Sequence, residues 1–285
     1  MTDHARQRRP SSDGNLPEFE RPPLAEVVLG IQFDPLVGLS SARLGEVWGL
    51  FRDQFPTTTD HLPLPAVFER LGPPSESQAI QLNFDVLRPP LPRCWFVSAG
   101  DDEVLQFQQD RFHHNWRRRE GQPDYPRYRT IRSRFESELA SLTAFISASS
   151  IGSIEVNQCE VTYINNIVAD ECWTEHAHAG RVLRLVTEDP GLAIGPPEHV
   201  RCDTAFPILD EEQRPRGRLH VSLVSGFMKE SAKPMFALKL TARGAPMGQG
   251  VAGALEFLDL GRRSIVRGFA ELTTDRMHQV WGRTR

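Results

Sequence analysis

EVVLGIQFD (Glu26–Asp34) and NQCEVTYINNI (Asn157–Ile167) are the two stretches on which the fold turns. Each reads as a strand, and Glu26-Val27 in the first is echoed by Glu160-Val161 in the second, 134 residues further on. The same offset relates Ser40 to Thr174, Pro56 to Pro190, Ile131 to Ile265 and Phe135 to Phe269. Ser and Thr are N-cap residue types. Proline stops a helix by removing a donor and clashing with the preceding turn. Residues four apart share a helix face. A duplicated α+β unit accounts for all of these coincidences together.

Working outward from Glu26–Asp34, Ser40-Ser41 precedes Leu44, Val47, Trp48, Phe51 and Phe55, a helical spacing that Pro56 closes. Residues 57–77, rich in Pro, Thr and Ser, read as a loop. Strands are expected over 79–86, 93–98 and 104–112, then a helix over 128–148 with Ile131, Phe135, Leu139, Leu142 and Ile146 on one stripe. The second half repeats the order: a strand over 154–168, a helix after Thr174, strands over 218–225 and 235–243, and a helix from Val251 to Leu272. Thr274 is expected to cap a last short helix, being followed by Met277 and Trp281. Strand, helix, strands, long helix, stated twice, predicts an antiparallel sheet covered by helices on one face, a helix-grip or TATA-binding-protein-like arrangement. The expected organisation is a disordered tail over 1–20 and halves over 21–150 and 151–285, joined as one continuous unit.

Composition narrows the function classes. Hydrophobic residues make up 39% of the 285, with sixteen Phe and five Trp, ample for a core. A formal charge of −4 gives no global pull toward nucleic acid or an anionic membrane. No apolar run approaches the roughly 18–20 residues of a membrane span. Met1 to Gly14 lacks the apolar core of a secretory leader, and Cys94, Cys159, Cys172 and Cys202 form no C-x-x-C pair. Free thiols and a cytoplasmic location are expected.

An antiparallel sheet covered on one side leaves the other wet. Strand alternation places Gln81, Asn83, Asp85, Gln106, Gln108, Thr162, His220, Ser222, Lys239 and Thr241 on that wet face. Side-chain amides both donate and accept, so such a face suits a polar ligand or partner protein; a merely solvated face is the bland alternative. Tyr163 and Asn165 fall on the buried side of their strand and need partners there. They serve either a structural network or a ligand. Arg262 interrupts the apolar stripe of its helix and is expected to snorkel or to pair with Asp259 or Glu160.

Two further clusters carry candidate chemistry. Arg111–Arg119 (RFHHNWRRR) interleaves Phe112 and Trp116 with Arg111, Arg117, Arg118 and Arg119, a pattern that can track phosphates and stack bases. Cys172, His176 and His178 carry zinc-ligand chemistry, but residues two apart do not share a helix face. No hydrolase elbow, phosphate loop, zinc-protease or dinucleotide motif is present, and the residues imply no cofactor or metal.

The pattern Pro22-Pro23 with Glu26-Val27, Trp95–Ser98, Leu105-Gln106, Asp110–Phe112, Asn115–Arg117, Tyr125-Pro126 with Tyr128, Asn157-Gln158 with Tyr163–Asn165, and Phe269, Leu272-Thr273 and Trp281 resembles a sporadically distributed family of uncharacterised bacterial proteins of roughly this length. No reaction is established for that family. Its patchy distribution resembles that of accessory genes, including antiviral defence and toxin–antitoxin modules. The expectation is a non-enzymatic binding protein for a partner protein or polar ligand. The partner would be encoded by a neighbouring gene, or be a second copy in a homo-oligomer. Nucleic-acid binding through 111–119 is the alternative, and a metal-dependent enzyme near Cys172 the third.

Overall fold

A computed structural model describes residues 16–72, 91–121, 124–188, 191 and 194–285. Among the described residues nine strands form one antiparallel sheet: β1 (Leu24–Phe33), β2 (Thr57–His61), β3 (Arg93–Val97), β4 (Glu103–Gln108), β5 (Arg111–Arg117), β6 (Val156–Val168), β7 (Arg201–Leu209), β8 (Pro215–Phe227) and β9 (Pro234–Gly244). Their spatial order is β2-β3-β4-β5-β1-β6-β9-β8-β7. The two stretches that opened the sequence are therefore neighbours at the centre of the sheet, with Val27 opposite Tyr163 and Leu29 opposite Val161. The chain is α+β.

Alternation sorts the side chains onto two faces. One transverse row reads Phe96, Leu105, His114, Leu29, Val161, Ala242, Leu219. All seven are buried, and helices lie against them. The helices are α1 (Ser41–Gly49), α2 (Tyr128–Ala148), α3 (Ala179–Val182), α4 (Gly250–Leu272) and α5 (Asp275–Val280). After α1, Phe51 stacks on Phe96 and Phe112 at 6.4 and 6.1 Å, and Phe135 of α2 stacks on Phe112 at 5.8 Å. Burying each ring contributes about 1.5–3 kcal/mol. α4 comes so close to the sheet that a Cβ at Gly261 would lie 3.0 Å from the Ala242 methyl and one at Gly268 2.7 Å from a Leu219 methyl.

His114 is the polar exception in this layer. Its Nδ1 meets Glu138 of α2 at 2.7 Å, and Glu103 stands 3.8 Å from its Nε2. Burial disfavours the charged ring, but the two carboxylates outweigh it and raise its pKa to about 9.

Several elements differ from expectation. The strand expected over 104–112 is a hairpin, turning at Gln109-Asp110 between β4 and β5. The helix expected after Thr174 shrinks to a 3-10 turn (His176–His178) and the single turn of α3. β7 was not expected at all; it is a mostly exposed edge strand containing Pro207, so its apolar signal is weak. β2 and the extended segment after it occupy part of the expected loop 57–77. The strand expected over 79–86 lies outside the described residues. Leu16 and Phe19, assigned by sequence to the tail, are buried, Phe19 against Phe269 and Trp281. Thr274 caps α5 as expected, its hydroxyl accepting from the Met277 amide at 3.4 Å.

Candidate ligand-binding site

On the opposite, open face the same transverse row reads Trp95, Gln106, His113, Gly30, Glu160, Arg243, Arg218. Gly30 explains itself here. A Cβ at that position would sit 2.2 Å from His113 Cδ2 and 2.6 Å from Nε2, so the imidazole lies across β1 only because residue 30 has no side chain. Beyond it, Glu160 accepts from Arg243 at 2.6 and 2.8 Å. Burial works against the Glu160 charge, yet Arg243 and then His113 hold its carboxyl below the ordinary range. For His113, burial lowers the pKa first. Arg111, Arg93 and Arg243 add to that against the pull of Glu160, leaving it at about 4. The ring is therefore neutral at physiological pH.

The adjacent row, Gln108, Arg111, Gln32, Gln158, carries an extended strap made of residues 62–72. The strap crosses the strands in the order of that row. Leu64 N–H donates to Gln108 Oε1 at 3.0 Å, and Gln108 Nε2 donates back to Leu64 O at 3.0 Å. Arg111 donates to Pro65 O at 3.0 Å, Val67 N–H to Gln32 Oε1 at 2.9 Å, and Glu69 N–H to Gln158 Oε1 at 3.0 Å. Glu69 then accepts from His220 at 2.7 Å and from Arg218. Burial opposes the Glu69 charge, but these two partners keep its pKa low. Proline-rich chain cannot pair as a ladder strand; side-chain amides satisfy its backbone instead.

Between strap and sheet remains a cavity of about 320 Å³, lined by Gln32, Leu64, Arg111, His113, Glu160 and Lys239 among others. A second cavity, of about 420 Å³, lies on the helix side. All three tyrosines of the chain, Tyr125, Tyr128 and Tyr163, line it with Asn165 and Arg262. Tyr125 and Tyr163 share a hydroxyl hydrogen bond of 3.0 Å, and Tyr128 donates to Asp259 at 2.7 Å. Burial raises the pKa of each. The Arg262 guanidinium stacks 5.3 Å from the Tyr128 ring, a cation–π contact.

The residues singled out in the sequence thus divide between two faces. Gln106, Gln108 and His220 are on the open face, whereas Tyr163 and Asn165 face the helices, so they do not form one site. Gln81 and Asn83 lie outside the described residues. Gln106 is occupied by Arg93 and Asn115, and Gln108 and His220 hold the strap. Asn165 donates to Leu238 O at 3.2 Å.

The basic run does not form a continuous patch. Arg111 is buried beneath the strap, Trp116 is buried on the helix face, and Arg117 and Arg119 both pair with Asp101; Arg118 alone of the three is exposed. His176 is a buried structural ring, bonded to Gly226 O at 2.9 Å and packed on Phe236. Among the described residues no three His, Cys, Asp or Glu side chains gather as metal ligands, and no helix is long and apolar enough to cross a membrane.

Sequence reasoning missed Gln32, His113, Gln158, Glu160 and Arg243. The signal was present in alternation, since Gln32, Gly30 and Glu26 share a face of β1, but the run Val27–Phe33 is so apolar that the strand reads as buried on both sides. The chain matches no protein-family model and no curated protein.

Proposed function

We propose that the chain is a non-enzymatic binding protein that recognises a partner protein through the open face of its sheet, with the strap as the docking element. One observation carries this reading. The backbone of the strap is fixed to the sheet by Gln108, Gln32 and Gln158, while three of its apolar residues stay exposed: Leu62 is 85% exposed, Phe68 55% and Leu71 46%. Large apolar groups concentrated on one held segment mark an interaction surface. The resemblance noted in the sequence supports a role as an accessory or defence-module component, whose partner a neighbouring gene would encode.

Affinity capture and native mass spectrometry from the protein's own host test the reading. Wild type is expected to retain a defined partner that the Leu62→Asp/Phe68→Asp double variant loses at unchanged thermal stability. Recovery of a bare monomer, or equal capture by the variant, overturns it. Nucleic-acid binding is the weaker reading, because the arginines and aromatics of 111–119 project to opposite faces.

We also infer that the two halves descend from one duplicated helix-grip-like unit. Across the central pair, Val28 stands opposite Thr162, Glu26 opposite Ile164 and Gly30 opposite Glu160. That is the register expected of a twofold relation between residues 134 apart, and the helices packed on one face agree with it.

A further inference from the structure

The cavity beneath the strap holds more positive charge than its own residues neutralise. Arg111 is 8% exposed, and its guanidinium donates to Gln32 Oε1 at 2.6 Å and to Pro65 O at 3.0 Å, both uncharged acceptors. Among the described residues it forms no ion pair. Lys239 lines the same cavity and likewise forms none among the described residues. Glu160, the one carboxylate lining it among the described residues, is engaged by Arg243. His113, also 8% exposed, has no hydrogen-bond partner among the described residues, and Gly30 leaves room for its ring. Burial lowers the Arg111 pKa most, and Asp110 and Glu160 oppose this only through space, without an ion pair; a guanidinium buried without a directly paired carboxylate is unfavourable. The His113 ring lines the same cavity and leaves its hydrogen-bonding capacity unused there. Such costs, gathered around one cavity, fit a site completed by a ligand of opposite charge.

We infer that this cavity binds a small ligand through a phosphoryl dianion, with Arg111 and Lys239 supplying the two balancing charges and His113 a ring N–H. Arg111 retains donors beyond the one nitrogen that holds Gln32 and Pro65, and its planar fork suits phosphate oxygens. The volume, about 320 Å³, admits a phosphate monoester of a small metabolite and not a polymer. The strap forms the roof. The inference rests on the sheet-face reading only in taking that face as the functional one; it needs no protein partner.

Titration calorimetry of the full chain at constant ionic strength tests it, using inorganic phosphate, ribose 5-phosphate and, as a monoanion, acetate. Saturable binding of phosphate or the ester, with acetate at least about tenfold weaker, is expected. Tighter binding of the ester assigns the site to a phosphorylated metabolite, and equal binding assigns it to the free anion. Arg111→Gln should weaken binding by about tenfold or more. Lys239→Ala, at an exposed position where folding is not at stake, should weaken it about threefold, whereas Arg52→Ala, a remote exposed charge, should change nothing. In a histidine-detected nitrogen spectrum, the His113 resonances should move with saturation.

No saturable heat from either phosphate, or equal losses in Lys239→Ala and Arg52→Ala, overturns the inference. The two readings fail separately. Phosphate binding without a captured partner removes the docking role and keeps the cavity. A partner that both the Arg111 and Lys239 variants still capture, with no phosphate bound, does the reverse.

Discussion

Gly30 and His113 show how a single residue pair shapes the open face. Gly30 sits at the centre of β1 between Leu29 and Ile31, where glycine weakens a strand and needs a reason. The reason is the imidazole lying across it. Gly30→Ala should therefore destabilise the fold by about 1–3 kcal/mol through overpacking, the usual range for a methyl forced into a filled space. Most of that loss should disappear in the His113→Ala background. Denaturant unfolding of the two single variants and the double variant reads the coupling directly; an undiminished cost in the double variant would place the clash elsewhere.

At the scale of elements, His114 fastens β5 to α2. Its folded pKa of about 9 lies above the unfolded value of about 6.5. The protonated ring is thus favoured in the fold, and this contribution is complete below about pH 6.5 and is lost as pH rises through about 9. The shift corresponds to about 3 kcal/mol. Unfolding free energy should accordingly fall across that window in wild type, and the fall should be much shallower in Glu138→Gln, whose uncharged amide cannot hold the imidazolium. Equal slopes in the two proteins would remove His114 as the cause. The strap is the second element-scale device: a proline-containing segment that could not join the sheet is held on it by a row of glutamines, by Arg111 and Arg218, and by His220.

The whole molecule is joined at its middle. β1 and β6 pair along their length, so no sheet edge separates the first half from the second. The strap adds a second tie, reaching from Gln108 on β4 to His220 on β8. A third lies at the chain ends, where Glu20 N–H bonds Gly282 O at 3.0 Å and Phe19 packs on Trp281. Halves tied in this way should unfold together. Calorimetry is expected to give one transition with equal calorimetric and van't Hoff enthalpies; two resolved transitions would show that the halves are independent.

The sequence by itself determined the α+β class, the strands it placed at 26–34, 93–98, 154–168, 218–225 and 235–243, each overlapping an observed strand, and the two long helices, because period-2 and period-3.6 patterns are local consequences of burying one face. It also placed Gln106, Gln108 and His220 on the open side, and Tyr163 and Asn165 on the other. It could not show β7, whose edge position leaves little apolar signal, nor the shortened helix after Thr174. Above all it could not show what the glutamines hold. Leu64 and Gln108 are 44 residues apart and Glu69 and Gln158 are 89 apart, and a hydrogen bond across such a distance leaves no periodicity in the chain. Only the tertiary structure brought the strap onto the sheet, closed a cavity over Arg111 and His113, and gave Gly30 its purpose.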